Sequence, residues 1–100
     1  MYHSQINVRY AKSLFLLAKE KNLVDEIKKD VEYILESLNK IPEILVLLEH
    51  PVVKKSRKGA VLNELFAKKV NEYTINFLQM VIKNKRENHL KGMIRDYIDL

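Results

Sequence analysis

From Ile6 to Ile98 the apolar residues recur every three or four positions, in six stretches separated by short polar breaks. That spacing puts them on one side of a helix, whereas a half-buried strand alternates every second residue. An all-β chain of this length would need turn residues about every 8 to 12 positions. Two glycines and two prolines in 100 residues cannot supply them. The spacing therefore predicts an all-α chain, and its length suits a single domain with one hydrophobic core.

Local signals set the expected helix limits. Ser4 is a good N-cap for a first helix running to about Lys21, where Asn22 breaks it. A second helix starts near Val24, with Asp25 and Glu26 in its first turn, where carboxylates favour the dipole. Its stripe is Leu23, Ile27, Val31, Ile34, Leu35 and Leu38, and Asn39 and Lys40 end it. Pro42 suits the first position of a short third helix, "PEILVLLEH", which Pro51 closes. "PVVKKSRKG" reads as a connection without periodicity. A fourth helix over about 57–67 groups Val61, Leu62, Leu65 and Phe66. Asn71 caps a fifth, about 72–84, with Tyr73, Thr74, Phe77, Leu78 and Val81 as its core stripe. "NKREN" is a turn, and the sixth helix carries Leu90, Met93, Ile94, Tyr97 and Ile98. Short connections predict a compact six-helix bundle with neighbours antiparallel. The last stripe is still periodic at Leu100, which predicts that the natural protein continues beyond it.

Few residues offer chemistry. With no cysteine, there is neither a disulfide framework nor a thiolate metal site. His3, His50 and His89 stand far apart without a ligand partner at i+4, so surface or loop roles are expected of them rather than metal binding. Ser4, Ser13, Ser37 and Ser56 lack a nucleophile-elbow context. The pairs Asp25/Glu26 and Glu32/Glu36 fall on faces expected to be solvated, and Gly59 and Gly92 are isolated rather than part of a phosphate loop. No enzyme activity, catalytic residue, metal or cofactor is expected. The longest apolar run, "ILVLL" at 44–48, is far short of the roughly 18 residues that span a bilayer. "MYHSQINVRY" lacks a charged region followed by an apolar one, so the chain reads as cytoplasmic and soluble.

The formal charge of +5 admits an acidic partner without demanding one. Lys54, Lys55, Arg57 and Lys58 form a basic run that could contact phosphates, which makes a small nucleic-acid-binding domain the alternative reading. The run has no interleaved aromatic, and a solvated loop and helix start is the preferred account of it.

Two helices carry more apolar surface than a core requires. On the first, Ile6, Tyr10, Leu14 and Leu17 make one stripe, and Val8, Ala11, Phe15 and Ala18 extend it to an arc of roughly 200°, about twice the usual width. On the fifth, Tyr73, Asn76, Met80 and Lys83 form a row beside the core stripe. Side by side, the surplus faces would make a shallow apolar groove edged by Asn76 and by Lys12 or Lys83. Such grooves receive amphipathic partner helices, and the flexible Met thioether suits them, although rim packing explains the same residues.

"RYAKSLFLLAKEKN", "PEILVLLEHPVVKKSRKGAVLNELF" and "NFLQMVIKNKR" together resemble the N-terminal domain of the F-type ATP synthase delta subunit, whose mitochondrial counterpart is the oligomycin-sensitivity-conferring protein. The likeness runs from Arg9 to Leu100. Its most specific piece is Arg9-Tyr10-Ala11-Lys12 followed by Leu14-Phe15, with Pro51-Val52, Leu62, Leu65-Phe66, Asn76-Phe77-Leu78 and Arg86 at the expected intervals. The resemblance implies a six-helix bundle in the peripheral stalk, tethering the catalytic head by binding the N-terminal helix of an alpha subunit between helices one and five. By position, the groove would use Tyr10, Ser13, Leu14, Leu17, Asn76, Met80 and Lys83. It further implies contact with the stalk's b subunits through a C-terminal domain lying beyond Leu100. The expected location is the cytoplasmic face of a bacterial plasma membrane, as part of the complex and without membrane insertion, and with no nucleic-acid partner. The family's frequent alanine is Ser13 here, acidic residues are common where Ser56 and Arg57 stand, and its common glycine before Arg86 is Lys85, so Asn84 is expected to supply the helix cap.

Overall fold

A computed structural model describes residues 4–100; His3 lies outside the described residues. Six α-helices appear in the expected order: α1 (Gln5–Glu20), α2 (Val24–Lys40), α3 (Glu43–Glu49), α4 (Lys55–Phe66), α5 (Glu72–Lys83) and α6 (Leu90–Ile98). A single 3₁₀ turn, Glu87–His89, leads into α6, and no strand occurs among the described residues.

Caps explain both limits of α1 and of α5. The Ser4 hydroxyl accepts from Asn7 N–H at 3.1 Å, and the Asn71 side chain accepts from Tyr73 N–H at 2.8 Å. Both fill orphan donors of a first turn. Asn22 takes a left-handed conformation, φ 57°, after α1, and Leu23 N–H reaches back to Ala18 C=O at 2.8 Å. Lys85 repeats this after α5: its φ is also 57°, its N–H bonds Ile82 C=O at 3.0 Å, and Arg86 N–H bonds Val81 C=O at 2.9 Å. This is the Schellman arrangement. Asn84 is the C-cap, as expected, and Lys85 just beyond it takes the left-handed position that a glycine favours. One correction is that α4 begins at Lys55, two residues before the expected start, so most of the basic run is helical.

The core draws on every helix. Leu14 and Ala18 meet Ile27, Val31, Ile34 and Leu38 of α2, Leu48 of α3, Leu62 and Phe66 of α4, Leu78 and Val81 of α5, and Met93, Ile94 and Tyr97 of α6. The closest helix packing is not between chain neighbours. α6 lies against both α1 and α2. Near one end of the α1–α6 contact, a Cβ added at Gly92 would stand 2.2 Å from the Asn7 amide nitrogen. Phe15 and Tyr97 then stack edge-on at 6.0 Å further along both helices, so α1 and α6 run in the same direction. By contrast α4 and α5 run antiparallel: Lys55 reaches the carbonyl of Lys83, and Gln79 reaches that of Gly59. Burial, and then the negative charge of Asp30, push the Tyr97 phenol up.

Candidate functional site

α1 gives one side of its wide apolar arc to α6 and α2, and α5 packs chiefly on α4. The surplus faces are left looking at each other across a groove of about 270 Å³, lined by Ser13, Leu14 and Leu17 of α1 and by Tyr73, Asn76, Phe77 and Met80 of α5. The depth varies across it. Leu14 (2% exposed) and Phe77 (6%) form the floor and also belong to the core, whereas Met80 (39%) stands at the rim. Ser13 and Asn76 are exposed at the edges.

Five of the seven positions singled out from the sequence thus line one groove: Ser13, Leu14, Leu17, Asn76 and Met80. Tyr10 closes one end instead. Its ring stands edge-on to Phe77 at 6.4 Å, and its hydroxyl accepts from the Asn84 side-chain amide at 3.0 Å. Lys83 is exposed and outside the lining, and its backbone carbonyl accepts from Lys55 Nζ at 3.3 Å. Sequence reasoning assigned Phe77 to the core alone; it occupies both. Tyr73, seen in the surplus row, belongs to the lining as well.

Polar residues outside the groove hold α5 in place. Asp30 of α2, largely buried, accepts with one carboxylate oxygen from Asn71 N–H and from the Thr74 hydroxyl, each at 2.8 Å. The Asn71 amide also bonds the Glu26 carboxylate. These bonds tie the first turn of α5 to α2, and hydrogen bonds to a charged acceptor are among the stronger kind.

The basic run is split between solvent and core: Lys54, Lys55 and Arg57 are exposed, and Lys58 is not. Because α4 starts at Lys55, Lys58 falls on its inner face and is only 5% exposed. Its Nζ donates to a Glu87 carboxylate oxygen at 2.9 Å, in the 3₁₀ turn before α6. Burial pushes the Glu87 carboxyl up, but the Lys58 hydrogen bond, a backbone hydrogen bond and the charges of Lys58 and Lys55 outweigh it, and the group ends below the ordinary carboxylate range. Lys54 and Arg57 remain exposed. The expectation of a solvated loop is corrected at Lys58, and the nucleic-acid alternative loses one of its four cations.

Each of the two described histidines has a partner within the fold. His89 Nδ1 lies 3.0 Å from the Asn7 side-chain oxygen, and His50 Nδ1 accepts from Val52 N–H at 3.3 Å. Among the described residues no group of His, Cys, Asp or Glu could hold a metal ion, and no helix is long and apolar enough to cross a membrane.

Residues 6–100 match the family model for the ATP synthase delta (OSCP) subunit. Curated relatives bearing the name ATP synthase subunit delta include one from Phocaeicola vulgatus, 35% identical over 101 residues, covering 100% of this chain and 55% of its own length. One from Alkalihalophilus pseudofirmus is 32% identical over 100 residues, with 100% and 55% covered. One from Desulforamulus reducens is 31% identical over 97 residues, with 97% and 54% covered. The chain therefore spans about half the length of the curated relatives it matches.

Proposed function

The chain belongs to the ATP synthase delta (OSCP) subunit family, and on that premise we propose that it is a non-catalytic peripheral-stalk component, tethering the catalytic head by gripping the N-terminal helix of an alpha subunit. The carrying observation is the groove between α1 and α5, apolar at its floor and walls and edged by exposed polar side chains. An amphipathic helix lays its apolar face there, with Leu17 and Met80 closing over its anchors above Leu14 and Phe77. Water leaves the contact, and burial of that kind acts chiefly on the off-rate, which is what a stator must keep low. Ordering a free segment offsets part of the gain, so the affinity expected lies between micromolar and nanomolar.

In this role the protein carries no cofactor and transfers no group. It supports proton-driven ATP synthesis by resisting rotation of the head. It sits with the complex on the cytoplasmic face of the bacterial plasma membrane without entering the bilayer. Contact with the b subunits falls to the family's second domain, outside these 100 residues.

The test is calorimetric titration with a synthetic peptide of the first twenty or so residues of the alpha subunit from the same organism, at two salt concentrations. One-to-one binding that survives salt supports the tether. No binding by the folded protein overturns it.

A further inference from the structure

Sulfur is scarce in this chain and unevenly placed. There is no cysteine, and the three methionines are Met1, Met80 and Met93. Met93 belongs to the core at 1% exposed, whereas Met80 stands at the groove rim at 39%. Met1 lies outside the described residues. Among the described residues, Met80 is therefore the sulfur-bearing side chain open to a dissolved oxidant.

Its neighbours set what oxidation would change. Leu14, Leu17 and Phe77 share the groove with Met80 and are hydrocarbon. A thioether packs among such side chains without needing a hydrogen bond, but a sulfoxide is polar and its oxygen is an acceptor. Asn76 is exposed one helical turn before Met80, on the same face of α5. In the undocked protein, water and that amide satisfy the new oxygen. Under a docked apolar helix face the water is gone, and burying a polar group without a partner is costly.

The bundle itself does not depend on the thioether. Asn84 donates to the Tyr10 hydroxyl at 3.0 Å, and the Lys21 ammonium lies over the Tyr73 ring, 5.7 Å from its centroid. Both contacts join the ends of α1 and α5 without using Met80. Oxidation there alters the rim and leaves the helices in place.

We infer that Met80 is an oxidation site, and that its sulfoxide weakens docking in the α1–α5 groove, so that peroxides control assembly of the tether. This rests on the docking function proposed above. In the step, one peroxide oxygen bonds to Met80 Sδ as the O–O bond breaks, and the other leaves as water with both protons. The thioether loses two electrons and the peroxide gains them. A methionine sulfoxide reductase returns the thioether, with a dithiol supplying the electrons. A helix already seated covers the rim, so the modification acts on the undocked groove.

The test treats the protein with hydrogen peroxide, removes the peroxide, and isolates the species that peptide mass spectrometry shows to carry one oxygen at Met80. That species is titrated calorimetrically with the unoxidised alpha-subunit peptide. Met80 is expected to gain its oxygen well before Met93, with an unchanged dichroism spectrum and affinity at least about tenfold weaker. Reductases for both sulfoxide epimers are expected to restore mass and affinity together. Oxidation at Met93 first, or a collapsed dichroism spectrum, overturns the site. A Met80 sulfoxide that binds with a smaller loss overturns its control of docking and leaves the docking function intact. Absence of binding before any treatment overturns the docking function and that control together, while the order of oxidation still decides the site.

Discussion

Replacing Lys58 by Met removes the cation facing Glu87 and keeps most of the side-chain volume. Lys58 and Glu87 side chains are only 7% and 10% exposed, so water cannot replace the lost partner. Leaving one member of a buried pair alone costs about 3–5 kcal/mol. The lower value, about 3 kcal/mol, is expected here, because Lys55 still contributes charge at Glu87 and the carboxyl can take up a proton. For a chain of this size that lowers Tm by more than about 12 °C. The double variant Lys58→Met/Glu87→Leu has no stranded charge, and most of the loss is expected to return. Urea unfolding of the wild type, both single variants and the double, followed by circular dichroism, gives the coupling directly. Acid titration checks the same pair. The folded Glu87 carboxyl lies below its ordinary value of 4.5, so its contribution is complete above that pH and is lost as pH falls through the folded value. The acid-side slope of stability is therefore steeper in the wild type than in the double variant. Additive losses in the cycle, or identical slopes, would refute the argument that this pair is held by mutual compensation.

Lys85→Gly removes the Cβ from a left-handed position and is expected to stabilise the bundle by about 1 kcal/mol, seen as a rise in Tm of several degrees. Asp30→Ala strands two donors at the start of α5 and is expected to cost about 2–4 kcal/mol, with amide exchange accelerating first at Asn71 and Thr74. Met80→Asp is expected to weaken alpha-peptide binding at least tenfold in calorimetry while the dichroism spectrum stays unchanged, since the side chain is at the rim. Leu14→Asp is expected to unfold the protein, because that side chain is floor and core together; a folded Leu14→Asp variant contradicts the burial described for it.

Features with local causes were legible in the sequence. Ser4, Asn22 and Asn71 act within three residues of themselves, and each sits where the sequence places it. The groove was legible for a related reason: a helix with twice the usual apolar arc announces an unspent face before its neighbours are known. What escaped was set by distant partners. Lys58 and Glu87 are 29 residues apart, and Asp30 finds its donors 41 and 44 residues away. No periodicity marks these residues as buried, since a charge on the inner face of a helix looks like a gap in its stripe. Lys85 escaped although its cause is local, because a left-handed lysine is uncommon and asparagine beside it is the better cap former. The direction of α6 was also hidden: short links predict antiparallel neighbours, but α6 packs on α1 and α2 rather than beside its predecessor.

The same division bears on how the site can change. The groove survives because α6 and α4 take up the inner faces of α1 and α5, and Tyr10–Asn84 and Lys21–Tyr73 bridge what is left. Its floor is therefore part of the core, and Leu14 and Phe77 cannot be altered for docking without a cost in stability. Ser13, Asn76 and Met80 are exposed and carry little of the core's packing. If the groove docks a helix as proposed, discrimination between one partner and another is expected to reside in those rim positions and in the exposed Arg9, Lys12 and Lys83, while the floor sets only the preference for an apolar face.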